Sequence, residues 1–379
     1  MKWLARLLTP EGNEQWRIPP VTYHLIRAVD ALAPSFIRLS AMETRLLSSR
    51  LKKVRLDRPI YICGIARAGT TITLEMISRH PVVGTHFYTH MPVPYLPYWW
   101  AKMESTIPLP AMPAVERVHK DGLMVTKDSP EAVEEAFWQK FFPHLHDESR
   151  ANVLTAQTEN PGFETFYRDH IRKLLLYQGR SRYAVKNNYN LTRLSYLKKL
   201  NPDARFVLVI RHPVNHIASL MKQHRIFCDM EAEDPRTACT MNIVGHREFG
   251  VNISLINTGD GEAMEKIQNA WENGREVVGW AIYWASVYRF VADQLASDPA
   301  LANAALVVRY EDLCENSGET IDRIIAHTGL PATPFGETRA EYVRKLCQPR
   351  YYRPKFTDAE VALIHEKTRE TAARFGYTL

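Results

Sequence analysis

Residues 60–71 read Ile-Tyr-Ile-Cys-Gly-Ile-Ala-Arg-Ala-Gly-Thr-Thr, and the fold turns on them. The run Ile60 to Ile65 is apolar or glycine throughout, with no polar alternation, and Pro59 opens it. A strand buried on both faces of a parallel sheet has that pattern. From Thr70 to His80 the apolar positions take helical spacing, and Pro81 marks the end. The stretch therefore reads as strand, tight glycine loop and helix. Glycines let backbone N–H groups turn inward around an anion, and the helix N-terminus adds its positive end. An oxyanion placed there meets several fixed donors without a metal.

Outward from this unit the pattern repeats. Apolar runs at 182–187 (RYAVKN), 205–211 (RFVLVIR) and 305–313 (ALVVRYEDL) read as further strands. Helical patterns follow each, one from Pro213 and another from about Ser317. Proline suits a first helical position because its missing N–H has no partner there. Strands alternating with helices predict an α/β fold of three layers, a central, mostly parallel sheet flanked by helices. Residues 1–57 are basic and helical in pattern, an N-terminal extension packed on the core or a membrane-surface or oligomer-contact arm. Residues 58–379 form the main domain. Residues 277–295 are apolar but interrupted by Arg289 and Asp293, so they read as a buried or amphipathic helix. The stretch 228–262 reads as a long irregular loop, a length that is usually functional or mobile.

Composition sets bounds. Hydrophobic residues are 45% and charged residues 24% of the 379 positions, which excludes disordered and collagen-like classes. The net charge of +6 fits an anionic ligand but equally a mildly basic surface. The five cysteines are scattered with no CxxC spacing, so neither a disulfide framework nor a zinc site is expected, and reduced thiols fit a cytoplasmic location. The N-terminus lacks a signal-peptide pattern. No apolar run reaches the roughly 18 residues of a membrane helix. Action in solution or at a membrane surface is expected, and the oligomeric state stays open.

Gly64 to Thr71, GIARAGTT, resembles the nucleotide-triphosphate loop GxxxxGK[ST]. The departure matters more than the match. Thr70 stands where that loop carries the Lys that reaches β- and γ-phosphates, so a nucleotide kinase is poorly supported. The cation comes earlier, at Arg67, which suits a shorter anionic chain of one phosphate and one sulfate.

RAGTT, Arg67 to Thr71, looks like the 5′-phosphosulfate loop RxGTT of sulfotransferases that use 3′-phosphoadenylyl sulfate (PAPS). A second stretch, IRHPVNHIAS, places Arg211 at a strand end and Ser219 eight residues later. It resembles the family's 3′-phosphate element. Arg211 would leave its strand at the C-terminal edge, where open α/β sheets bind ligands, and an Arg fork makes paired charge-assisted bonds to phosphate. Residues 128–135, 186–188 and 308–313 resemble segments of bacterial members, and the resemblance runs over about 59–375. It implies the P-loop-like sulfotransferase fold, with PAPS as co-substrate and no obligatory metal. Arg67, Ala68, Gly69, Thr70 and Thr71 would hold the 5′-phosphosulfate, and Arg211 with Ser219 the 3′-phosphate. Arg67 would also be catalytic. The late basic loop, Arg350 to Thr357, lacks the family's RKG tripeptide.

Members of the family place a Glu or His after the helix that follows the phosphate loop. His86 is the first candidate base and His90 the second, since a near-neutral imidazole suits proton removal. Glu131 is a third, although its spacing with Glu134 and Glu135 also fits a solvated helix face. Lys186 would add positive charge near the sulfate. The aromatic run 94–100 and the stretch Gly245 to Gly250 are candidates for an acceptor wall and lid. The acceptor is expected to be a glycan, glycolipid or small metabolite, with no nucleic acid partner. A kinase of the P-loop class and a non-catalytic nucleotide- or glycan-binding protein on the same fold are the rival readings.

Overall fold

The computed structural model describes residues 18–106, 114–116, 123–347 and 354–379. Five parallel strands form the central sheet: β1 (Ile60–Cys63), β2 (Val83–Gly84), β5 (Arg182–Lys186), β6 (Arg205–Ile210) and β7 (Ala305–Arg309). Their order is β2-β5-β1-β6-β7. A small antiparallel pair, β3 (Val115–Glu116) and β4 (Met124–Val125), lies apart from it. The expected three-layer α/β architecture is what the chain adopts.

The two faces of the sheet bury different helices. Tyr61, Cys63, Tyr183, Val185, Phe206 and Leu208 point to one side, into a core shared with helices Pro161–Gln178, Pro213–Glu233 and Glu276–Ser297. Ile60, Ile62, Ala184, Val207 and Val209 point to the other, against helices Thr70–Ser78 and Ser317–Thr328. Successive strand residues face opposite ways, so an unbroken apolar run is what a sheet covered on both sides demands.

Helices Pro20–Ala31, Ala33–Leu46 and Ser48–Leu51 precede β1. A buried ion pair ties the second of them to the body of the protein: Lys173 Nζ lies 2.8 Å from Glu43 Oε2, both side chains fully buried. Lys173 also donates to the Ser40 hydroxyl at 2.7 Å, and the Trp99 amide donates to Glu43 at 2.6 Å.

Three expectations are corrected. The stretch 228–262 is not one long loop. The helix from Pro213 runs on to Glu233, Asp234 caps a further helix Pro235–Val244 by accepting from the Arg236 amide, and the irregular part begins at Gly245. Buried positions at helical spacing, among them Phe227, Met230, Thr237 and Thr240, carry this extension. Residues 305–313 are not all strand, because a helix starts at Tyr310 and the Arg309–Asp312 pair closes its first turn at 2.8 Å. Glu134 and Glu135 do not lie on a solvated face, being 0% and 4% exposed. Each has buried donors that a sequence pattern does not display: Tyr167 and Tyr183 for Glu134, and the Arg193 fork for Glu135.

Among the described residues no helix is long and apolar enough to cross a membrane. Arg350 and Arg353 lie outside the described residues.

Candidate active site

β1 and β6 are neighbours in parallel register, Cys63 opposite Leu208. The loop after β1 and the turn after β6 therefore leave the sheet side by side at its C-terminal edge. Gly64 must be glycine there, since a Cβ would sit 2.4 Å from the Val209 carbonyl oxygen. Gly69 takes φ +108°, and a Cβ on it would sit 2.5 Å from the Tyr310 ring. Arg67 itself has φ +73°, a left-handed conformation that costs a non-glycine residue about 1–2 kcal/mol. The surrounding contacts hold it there.

Those contacts come from the far side of the core. His216 Nε2 donates to the Ala66 carbonyl at 2.8 Å, and Trp284 Nε1 donates to His216 Nδ1 at 3.1 Å. Trp284 thus selects the His216 tautomer, and burial pulls that imidazole down to about 3, so it stays neutral. The Ile65 amide donates to the Tyr288 hydroxyl, which donates to the Val209 carbonyl, both at 3.3 Å. The loop is braced before any ligand arrives.

The two expected anion cradles meet. Arg67 Nε donates to Ser219 Oγ at 3.3 Å. Arg211 Nη1 donates to the Arg67 carbonyl at 3.4 Å, and its guanidinium stands 5.0 Å from the centre of the Tyr310 ring. Ala68 is fully buried with Thr70 behind it, while Arg67, Gly69 and Thr71 are partly exposed. Helix Thr70–Ser78 starts in this loop, with Gly69 at its cap position. Amides of the loop, the helix N-terminus and two guanidinium groups converge on one small region.

On the β5 side, Lys186 ends its strand and pairs with Glu131 at 3.0 Å. Burial alone would raise the Glu131 carboxyl, but Lys186 first, then His246, hold it well below the usual carboxylate range. Asn188 bridges onward: it accepts from Thr70 Oγ1 at 3.5 Å and donates to Glu248 Oε1 at 2.7 Å.

The His86 main chain adjoins Glu131, whose amide donates to the His86 carbonyl at 3.0 Å, and His90 follows within the next short helix. Both histidines are buried, and the His86 ring turns inward against Tyr183, with its Nε2 3.2 Å from His170 Nε2. Burial holds His86 well below the ordinary histidine value and His90 at about 4. His90 Nδ1 accepts from the Phe87 amide at 3.2 Å. The aromatic run 94–100 is used mainly in packing, with Tyr95 and Tyr98 buried and Trp100 Nε1 donating to the Thr89 carbonyl. No group of three or more His, Cys, Asp or Glu residues is placed to hold a metal ion among the described residues.

Asn188 and Tyr310 fall in the stretches 186–188 and 308–313 that resemble family segments, but neither has a role legible there, and Trp284 and Tyr288 read only as part of a packed helix. His216 sits inside IRHPVNHIAS, so the motif itself was its signal. The others reach the loop from distant parts of the chain.

A glycine loop between a parallel strand and a helix, carrying one arginine and facing a second at the end of the neighbouring strand, is an arrangement suited to phosphate-like anions. Residues 59–232 match the family model described as the sulfotransferase family. The matched stretch holds both Arg67 and Arg211 with Ser219. The sulfotransferase STF9 from Mycobacterium avium is similar in structure, with a TM-score of 0.50 and 13% identity over 89% of this chain and 82% of that one. The sulfotransferase STF1 from Mycobacterium tuberculosis H37Rv gives 0.46 and 15% identity over 89% and 81%. At these identities the likeness concerns the fold alone. No curated protein matches the chain.

Proposed function

We propose that the protein transfers a sulfuryl group from PAPS to a hydroxyl or amine of an acceptor. The observation that carries this reading is the Arg67–Ser219 hydrogen bond of 3.3 Å, which puts the two cradles within reach of one bisphosphorylated nucleotide. The loop amides of Ala68 and Gly69, with Thr70 and Thr71, would hold the 5′-phosphosulfate. Arg211 and Ser219 would hold the 3′-phosphate. The acceptor oxygen or nitrogen attacks sulfur in line, and the bond from sulfur to the bridging oxygen breaks. Its electron pair leaves with 3′-phosphoadenosine 5′-phosphate (PAP), and the acceptor proton passes to a base. Arg67 would stabilise the bridging oxygen as charge develops.

Of the three candidate bases, the geometry favours Glu131. It adjoins Lys186 at the C-terminal edge of β5, whereas the His86 and His90 side chains are turned into the core. Sulfuryl oxygens would draw Lys186 away from Glu131 and leave that carboxylate free to accept a proton. A cytoplasmic site of action, where thiols stay reduced, belongs to the same reading. Peripheral membrane contact through the N-terminal helices belongs to the same proposal.

Thermal shift with PAP against ATP and Mg²⁺ tests the donor. PAP alone should stabilise the protein. Stabilisation only by ATP with Mg²⁺ would favour a kinase. Transfer of labelled sulfate from PAPS to any acceptor would exclude a purely binding role.

A further inference from the structure

The segment Gly245–Gly250 is built into the site rather than draped over it. Gly245 has φ +81°, and a Cβ on it would lie 2.5 Å from Glu135. Gly250 has φ +90°, and a Cβ on it would lie 2.3 Å from the Glu231 carboxylate. The Val251 amide also donates to that carboxylate, at 2.6 Å. Both ends of the segment pack against glutamates at positions with left-handed backbone that suit glycine, and the second is bonded to its glutamate. Between them, His246 Nε2 lies 3.2 Å from the Ala132 carbonyl oxygen, next to Glu131, and His246 Nδ1 lies 3.9 Å from Glu248 Oε2.

Glu248 then reaches the phosphate loop through Asn188, at 2.7 Å and 3.5 Å in succession. Next along the chain stands Tyr189, 3% exposed, whose hydroxyl has no hydrogen-bond partner in the protein. Glu248, Glu135, Tyr283 and Arg247 surround that hydroxyl closely enough to act on it electrostatically. Arg247 Nε is likewise buried without a partner. A buried phenol left unsatisfied costs about 1–3 kcal/mol, and here two donors are left so on facing elements.

We propose that the Gly245–Gly250 segment and the turn after β5 form the acceptor subsite, and that it takes a hydroxyl-rich acceptor of sugar or polyol chemistry. This rests on the sulfuryl-transfer reading. Glu248 accepts a hydrogen bond from the hydroxyl beside the one attacked. Tyr189 and Arg247 donate to its neighbours. One acceptor group and two unsatisfied donors suit an acceptor that offers several hydroxyls. A flat phenol, with one polar atom, would leave two of the three unpaired.

The experiment uses the full chain with PAP, PAPS and two acceptor panels, mono- and disaccharides against simple phenols. PAP affinity is measured by calorimetry and turnover as PAP release from PAPS. Saccharides should raise PAP release above the rate with water, and phenols should not. Stimulation by phenols, or by neither panel, overturns the proposal. Glu248→Gln and Tyr189→Phe should keep PAP affinity within about twofold while saccharide-stimulated release falls at least tenfold, mainly through KM. Unchanged release in both variants overturns the proposal while the donor reading stands. Failure of the unaltered protein to bind PAP sinks the donor reading and this inference with it. Tyr189→Phe also checks folding, because a hydroxyl without a protein partner should leave Tm within about 2 °C. A fall of several degrees would mean that the hydroxyl serves the fold instead.

Discussion

Arg211 donates a hydrogen bond to the main-chain carbonyl of Arg67 at 3.4 Å, across 144 positions of sequence. The bond ties the end of β6 to the one non-glycine residue of the phosphate loop with a left-handed backbone. It makes Arg211 a brace for the loop, in addition to the phosphate contact proposed for it.

Arg67 and Arg211 should therefore fail differently. Arg211→Ala removes charge-assisted contacts to phosphate, each worth about 1.5–3 kcal/mol, so PAP affinity should fall about 10- to 100-fold. Arg67→Ala should lower the transfer rate by about 10²–10³ with a smaller loss of PAP affinity, as expected for a donor that acts on developing charge. Calorimetry with PAP and PAPS turnover separate the two. Unaltered PAP affinity in the Arg211 variant would remove that residue from the nucleotide site.

Gly64→Ala and Gly69→Ala both crowd the loop, but against different neighbours. At Gly64 the new methyl meets a β6 carbonyl that cannot move without breaking the sheet. At Gly69 it meets a Tyr310 ring that can swing, and the remaining cost is the φ of +108°. Gly64→Ala should lose about 3 kcal/mol or more of stability, Gly69→Ala about 1–2 kcal/mol. Gly69→Ala should still reduce PAP binding, because Tyr310 also carries Arg211. Urea unfolding of the two variants measures the order, and a reversed order would refute it.

Glu134 supplies a pH dependence. Burial pushes its carboxyl up from 4.5 to about 7, against the pull of hydrogen bonds from Tyr183, Tyr167 and Trp138. The folded state therefore prefers the protonated acid. Below the ordinary value both states hold the proton and stability does not change with pH. Between it and about 7 only the unfolded chain ionises, so stability falls as pH rises. Above about 7 both states are ionised and the loss is complete. Relative to Glu134→Gln, the unaltered protein should lose on the order of 3 kcal/mol between pH 4 and pH 8. Parallel unfolding curves for the two proteins at every pH would contradict this.

The pair between Glu43 and Lys173 holds the N-terminal helices by buried charge. Lys173→Met leaves a carboxylate stranded and should cost about 3–5 kcal/mol. Adding Glu43→Leu should restore most of that loss, since an apolar pair of similar size fills the space. A double variant as unstable as the single one would show that the helix is held by other contacts.

Much of the site was legible because anion binding by a loop is local chemistry. Gly64, Arg67, Gly69, Thr70 and Thr71 are close in sequence, and Arg211 and Ser219 lie within one strand end and helix start. Base candidates fared otherwise. His86 and Glu131 are both buried and differ in partner: His86 faces His170, and Glu131 pairs with Lys186 at the end of β5. The acidic run at 131–135 read equally as surface because helical spacing does not reveal that Tyr183, Arg193 and Lys186 wait inside to pair with it.

By itself the sequence determined the strand–loop–helix unit, the alternation that makes the sheet parallel, and the residue types able to cradle two phosphates. Backbone propensity and hydrophobic period act over a few residues, so those choices are written locally. Only the tertiary structure decided that β1 and β6 are adjacent, which brings Arg67 to Ser219, that Glu134 is buried, and that Asn188 links Thr70 to Glu248. Those outcomes depend on which distant surfaces meet when the core closes. Burial and partner then set each group's charge, and no local pattern records them.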